Sequence, residues 1–212
     1  MSVRWGIIGV GDVVCKRVAR AIREDAGREL IAACRRNLEK LRPWCDEQKI
    51  PQAYSDSRQL LEQPDLDAVY IATPVAAHLQ QTVEAAAAGK HVLVEKPMAL
   101  SVDECTQMID ACHQAGVKLG IAYYRRFYPI VHRMKELLAA KVIGNVRTAT
   151  AITCNGLKIA PGSELPWRVQ RQQSGGGPLM DIGSHRIDLF QDFFGEVIAT
   201  SGFCVTQSSP YE

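Results

Sequence analysis

Short apolar runs alternate with amphipathic stretches through the first 122 residues, and this alternation constrains the fold more than any other feature. Val3–Ile8 is an apolar run that ends at Gly9-Val10-Gly11, and Val14, Val18, Ala21 and Ile22 then recur at helical spacing. Leu30–Cys34 is a second run, followed by a polar stretch from Asn37 to Lys49 that reads as a helix. Asp67–Ala72, His91–Val94 and Lys118–Ala122 supply three more runs. Between them lie the alanine-rich stretch Val75–Ala88 and a helix over Val102–Gln114, with Ser101 as its N-cap and Glu104 as capping-box partner. Strands that alternate with helices connect by right-handed crossovers into a parallel sheet covered on both faces. The fold class is therefore α/β, with a doubly wound parallel sheet over residues 1–122.

Beyond Tyr123 the character changes. Pro129–Ala140 reads as a helix, and Asn145–Thr153 alternates apolar and polar like a half-exposed strand. A loop rich in Gly, Pro, Gln and Ser runs from Asn155 to Ser174, then Gly175-Gly176-Gly177 precedes a helix over Leu179–Phe194. Val197–Val205 reads as a last strand. Residues 123–212 read as a second, incomplete domain of mixed helices and strands. Ser209-Pro210-Tyr211-Glu212 reads as a stop inside that domain, so a truncated chain is the expectation.

Composition narrows the partners. The net charge of +2 comes from 25 basic and 23 acidic residues that are mixed along the chain, leaving no basic block for a nucleic-acid backbone. No stretch approaches the roughly 18 apolar residues of a membrane span, and the apolar start is broken by glycines and Asp12, unlike a signal peptide. The seven cysteines form no C-x-x-C pair, which points to reduced thiols in a cytoplasmic protein and to no metal site.

Gly9-Val10-Gly11-Asp12-Val13-Val14 lies between the first strand and the first helix, where a dinucleotide's pyrophosphate rests on helix N-terminal amides. Val14 stands where the third small residue of the Rossmann fingerprint is usual, and glycine-rich turns also occur here for structural reasons alone. After the second strand comes Arg35-Arg36-Asn37, with no acid between Leu30 and Leu38 to take the ribose hydroxyls of NAD. A guanidinium suits a phosphate dianion, so NADP(H) is favoured over NAD(H); a solvated basic helix start is the plainer alternative. In Thr73-Pro74-Val75-Ala76-Ala77-His78, Pro74 fits the first residue of a helix and Thr73 its cap, while Thr73 and His78 face the ligand crevice or serve structure only.

Val94-Glu95-Lys96-Pro97 follows another strand, and a lysine there can hold a substrate hydroxyl and steady a developing alkoxide, unless the segment is an ordinary surface loop. Asp181 and His185 are four apart on one helix, where the histidine can exchange a proton and the carboxylate can orient it. The set Asp181, His185, Asp188, Asp192 is also what a solvated stripe looks like.

Taken together, Gly9–Val14, Ile71–His78, Glu95-Lys96-Pro97, Ala122-Tyr123-Tyr124-Arg125-Arg126, Trp167-Arg168 and Gly175–Asp188 resemble the Gfo/Idh/MocA family of glucose–fructose oxidoreductase and inositol dehydrogenase. The resemblance implies an NAD(P)-dependent oxidoreductase acting on the CH–OH groups of sugars, cyclitols or related polyols, and a homo-oligomer when full length. It places Lys96, Asp181 and His185 on the catalytic positions, with His185 as proton donor or acceptor. Trp167 and Arg168 fall where some NADP-dependent relatives touch the cofactor, and Arg35 and Arg36 where they meet the 2′-phosphate. The cofactor-binding set is then Gly9, Gly11, Asp12, Val13, Arg35, Arg36, Thr73, Pro74, His78, Glu95, Lys96, Trp167 and Arg168. The competing readings are a non-catalytic dinucleotide-sensing regulator on the same fold, and a reductase of a non-sugar ligand such as a dihydrodiol. Val14 departs from the family pattern, and family members continue well past residue 212, so the resemblance implies that residues 123–212 are part of an α+β substrate and oligomerisation domain with an open, mainly antiparallel sheet.

Overall fold

The structure is a computed structural model that describes residues 2–154, 163–177, 179–203 and 205. The chain divides into two compact units, Met1–Ala122 and Tyr123–Glu212.

In the first unit, β1 (Val3–Ile8) leads through a π-turn (Val14–Val18) into α1 (Ala19–Glu24). Then follow β2 (Arg28–Cys34), α2 (Leu38–Gln48), β3 (Gln52–Tyr54), α3 (Ser57–Leu61), β4 (Ala68–Ile71), α4 (His78–Ala87), β5 (His91–Val94), α5 (Val102–Gln114) and β6 (Leu119–Ile121). Every strand pairing is parallel, in the order β3-β2-β1-β4-β5-β6. Each face of the sheet carries its own apolar layer. Ile8, Val69, Ile71 and Val94 pack with Leu60, Ala85, Ala86 and Met108 on one side. Ile7, Ala33 and Tyr70 pack with Val14, Ile22, Leu41 and Cys45 on the other. All four residues of β4 are buried, which is why that strand reads as a continuous apolar run rather than an alternation.

Local chemistry explains the boundaries. Asn37 Oδ1 accepts from the Lys40 amide to start α2, and Lys49 ends it in a left-handed conformation at φ 57°. Ser101 Oγ accepts from the Glu104 amide, as its spacing predicts. The reciprocal bond differs, because Glu104 Oε2 accepts from Leu100 N–H, one residue before the cap. β3 and α3 are absent from the sequence reading, since a three-residue strand is too short to display a period.

In the second unit, a 3₁₀ turn (Tyr124–Phe127) precedes α6 (Pro129–Ala139). A second 3₁₀ turn (Trp167–Val169) and α7 (Arg171–Ser174) occupy the end of the stretch read as loop, whose residues 155–162 lie outside the described residues. A π-turn (Leu179–Gly183) then runs into α8 (Ser184–Phe194).

The strands expected over Asn145–Thr153 and Val197–Val205 are a correction: the described residues of both stretches form none, so the antiparallel sheet is not present among them. Alternation marks a surface, but a strand exists only where a neighbour completes its backbone hydrogen bonds. Neither stretch has such a neighbour among the described residues, and Ile152, Ile198 and Phe203 stand exposed. No described helix is long and apolar enough to cross a membrane, and no described group of His, Cys, Asp or Glu could hold a metal ion.

Candidate active site

The parallel register brings the turns that carry Gly9, Arg35, Thr73 and Lys96 to one edge of the first unit. Ile8 pairs with Cys34 and with Ile71, Ile71 with Val94, and Val94 with Ile121, so the strands end at one level. The ladder continues one residue further. Gly9 N–H donates to Cys34 O (3.0 Å), Ala72 N–H to Ile8 O (2.8 Å), Glu95 N–H to Ile71 O (2.8 Å) and Ala122 N–H to Val94 O (2.9 Å). The turns carrying Gly9 to Val13, Arg35 and Arg36, Thr73 and Pro74, and Glu95 and Lys96 therefore leave the sheet side by side. The strand order reverses between β1 and β4, which is where an open α/β sheet forms its ligand crevice.

The two glycines of the first turn are required for different reasons. Gly9 adopts φ +96°, and a Cβ there would lie 2.8 Å from the carbonyl carbon and oxygen of Ala72 and from Thr73 Cγ2. A Cβ at Gly11 would meet nothing within 4 Å. The protein does not fill the space before Gly11, so the turn leaves room for a pyrophosphate against its amides, and the residues present fit a dinucleotide. Asp12 is exposed and pairs with Lys16 one turn along (2.9 Å), while Val13 caps the π-turn without a side-chain bond. Val14 is fully buried among Ile7, Ile22 and Leu41, in the first position of that π-turn.

Arg35 is half-buried and Arg36 exposed, at the end of β2. Burial pushes the Cys15 thiol up, and the charge of Arg35 opposes that shift. Thr73 does not cap a helix. Its hydroxyl donates to Gln81 Oε1 (2.6 Å), and Pro74 precedes a single 3₁₀ turn (Val75–Ala77) before α4 starts at His78.

His78 is 1% exposed and faces backbone rather than solvent. Its Nδ1 lies 3.1 Å from both Pro97 O and Met98 O, and its Nε2 3.0 Å from Thr73 O. The ring thus ties the turn after β4 to the turn after β5. Burial, the largest cause, holds the His78 pKa below the ordinary histidine value, against the raising effect of the three carbonyl oxygens and Glu95. Glu95 is also turned inward: Tyr70 Oη donates to Oε1 (2.8 Å) and the Lys96 amide to Oε2 (3.1 Å). Lys96 is half-buried between buried Glu95 and buried Pro97, so this segment is no ordinary surface loop.

In the second unit, His185 is 3% exposed at the first turn of α8. Tyr124 presents a ring edge at 5.2 Å between centroids and Tyr123 at 6.0 Å. Asp188 is buried as well, so this part of α8 is not the solvated stripe its spacing allows. Asp181 sits on the π-turn with Oδ2 3.6 Å from Arg168 Nε, and the Arg168 guanidinium lies 4.7 Å over the ring of Trp167. The sequence reading missed Tyr70, which holds Glu95, and assigned no role to Arg126, which holds Asp188. A lone tyrosine in a strand or an arginine in a turn carries no periodic signal.

Comparison with known proteins adds the lineage. Residues 3–123 match the model described as "Oxidoreductase family, NAD-binding Rossmann fold", and residues 131–212 match the GFO/IDH/MocA C-terminal domain. An oxidoreductase of Formosa agariphila is 37% identical over 92% of this chain and 61% of its own length. A 1,5-anhydro-D-fructose reductase of Ensifer adhaerens is 33% identical over 87% and 54%. A trans-1,2-dihydrobenzene-1,2-diol dehydrogenase of Danio rerio is 31% identical over 97% and 61%.

Among solved structures, the aldose-aldose oxidoreductase of Caulobacter crescentus with glycerol superposes at TM-score 0.79, with 31% identity over 92% of this chain and 58% of that one. The 3-ketoreductase of Actinomadura kijaniata with NADP and TDP-benzene gives 0.79 at 26% identity, over 92% and 58%. Levoglucosan dehydrogenase with NADH gives 0.76 at 26%, over 92% and 55%. The chain spans 54% to 61% of the length of these relatives. With two family models matched in series along its length, the chain belongs to the Gfo/Idh/MocA oxidoreductase family.

Proposed function

We propose that this chain carries the dinucleotide cradle and the proton-handling helix of an NADP(H)-preferring oxidoreductase acting on a hydroxyl- or carbonyl-bearing carbon of a sugar, cyclitol or related polyol. The observation that carries this reading is the common level at which Gly9, Arg35, Thr73 and Lys96 leave the sheet, beside the reversal of strand order. Backbone amides from Gly9 to Val13 hold the pyrophosphate, with the open space at Gly11 admitting it. Arg35 and Arg36 supply positive charge, and no acid, for a 2′-phosphate. When bound, the nicotinamide supplies or accepts the hydride. Lys96 donates a hydrogen bond to the substrate oxygen and stabilises the charge that develops there. By the family likeness, His185 gives or takes the substrate's proton, and Asp181 holds the ring's orientation from the preceding turn. Six described cysteines are free thiols, which supports a reducing, cytoplasmic setting. Homo-oligomerisation is inferred from the family likeness, and sedimentation velocity on the chain reads it.

The test is a titration of the 212-residue chain with NADPH and NADH, followed by quenching of Trp5, Trp44 and Trp167. NADPH is expected to bind about tenfold or more tightly than NADH, and Arg35→Asp to erase the difference, because a carboxylate repels the phosphate and suits a free ribose hydroxyl. Binding of neither dinucleotide refutes the cradle. A panel of sugars, polyols and dihydrodiols then reads turnover, and Lys96→Ala is expected to lower it on the order of 100-fold or more with cofactor affinity retained. The relative named for a dihydrodiol favours a second reading, a non-sugar substrate, and the same panel separates the two. Binding without turnover of any member favours the regulator reading over the enzyme.

A further inference from the structure

The face of α8 that carries His185 is held by charge as well as by rings. Arg126 forks onto Asp188, with Nε 2.8 Å from Oδ1 and 2.9 Å from Oδ2, and Nη2 2.5 Å from Oδ1. Asp188 follows His185 by three residues, so the two side chains share a helix face one turn apart, and both are buried (5% and 3% exposed). Asp192, a turn further on, accepts from Lys135 of α6 at 3.0 Å and lies 3.8 Å from Arg126 Nη1. The turn that presents Arg126 begins with Tyr124 and follows Tyr123, the two residues whose ring edges meet the imidazole. One guanidinium therefore ties the helix of His185 to the tyrosines that pack on it.

We propose that Arg126 and Asp188 are a positioning pair that sets the orientation and the proton affinity of His185. The proposal rests on the reading of His185 as the proton-handling group. A two-toothed fork resists rotation where a single hydrogen bond does not, so it fixes how α8 presents its first turn to Tyr123 and Tyr124. It also cancels a charge. An uncompensated carboxylate one turn from the imidazole in a low-dielectric setting favours the imidazolium, and the Arg126 guanidinium offsets that charge. Among the described residues, the other charged or titratable groups on this stretch are the phenols of Tyr123 and Tyr124 against the ring, Asp181 from the π-turn beside Arg168, and Asp192, which Lys135 and Arg126 share.

The pair predicts opposite effects from its two halves, which a helix staple alone does not. Arg126→Met uncovers a carboxylate and raises the pH at which His185 titrates. Asp188→Asn uncovers a guanidinium and lowers it. The double variant R126M/D188N removes both charges and returns the midpoint toward that of the parent chain, and it folds most readily because no buried charge is left alone. The measurement is the pH dependence of the histidine ring ¹H–¹³C signals of the 212-residue chain, with the His185 signal identified by its loss in His185→Gln. Shifts of about half a pH unit in opposite directions, reversed in the double variant, are expected. Shifts of the same sign, or none in either single variant with the fold intact by circular dichroism, overturn the pair. Turnover of His185→Gln is read separately: full activity there sinks the proton-handling role and leaves the opposed shifts, and hence the pair, standing.

Discussion

Lys96 and His185 are held in place by different means. Lys96 stands at the end of a strand whose position is set by backbone ladders, and its flanking turn is closed by Glu95, Tyr70 and His78. His185 stands on a helix whose buried face is set by ion pairs and ring edges. The first arrangement depends on where a Cβ can be placed, the second on which charges stay paired. Substitutions should therefore damage the first through backbone geometry and the second through electrostatics.

The largest effect is expected at Gly9. Gly9→Ala forces an L side chain to φ +96° and pushes its Cβ to 2.8 Å from Ala72 and Thr73 Cγ2. Backbone strain of this kind costs about 1–3 kcal/mol, before any displacement of β4 is counted. Thermal unfolding of the 212-residue chain should move down by roughly 5–10 °C, with dinucleotide quenching lost. A variant that melts like the parent and still binds NADPH would show that backbone geometry is not what holds this half.

His78 gives a smaller effect with a definite sign. Burial keeps its folded pKa below the unfolded value near 6.5, so below that pH the unfolded chain takes up a proton that the folded ring refuses. The unfolded state then binds more protons, and stability falls as pH drops from about 6.5 toward the lowered pKa. Asp56 and Asp67 are held below the usual carboxylate value by Arg58 and Arg4, and lose their contribution at lower pH than this window. Urea midpoints at pH 5.5 and 7.5 should therefore differ less in His78→Gln than in the parent. An equal difference in both chains would mean that the ring's environment does not carry this dependence.

How much of this was legible depended on whether a residue's role is written in a period or in a partner. The runs Val3–Ile8 and His91–Val94 became β1 and β5 without change of bounds, because the buried Gly6–Ile8 and the buried Val92 and Val94 leave an apolar signal in the sequence. Asn145–Thr153 has an equally clear alternation and forms no strand, since the hydrogen-bonding neighbour is not specified by its own residues. His78 was legible as a residue near the crevice, but its three carbonyl partners come from Thr73, Pro97 and Met98, and only the fold assembles them. Asp188 shows the limit most clearly. Its spacing from His185 fits an exposed stripe and a buried face equally well, and Arg126, 62 positions earlier, decides between them.

Gly11 sharpens the comparison from the opposite direction, with the smallest expected effect on stability. It lies two residues from Gly9 in the same turn, yet an added Cβ would touch no protein atom within 4 Å, and its φ is not in the left-handed region. Near the start of a helix, alanine in place of glycine limits the unfolded chain more than the folded one, so Gly11→Ala should melt at or slightly above the parent temperature, by about 0.4–1 kcal/mol. The same methyl group occupies the space in front of the turn's amides, where a pyrophosphate would have to approach. Quenching by NADPH should weaken at least tenfold, a penalty of about 1.4 kcal/mol in binding. Stability preserved and binding lost would assign Gly11 to the ligand and Gly9 to the fold. If binding survives, the pyrophosphate does not approach over Gly11, and the open space there serves some other purpose.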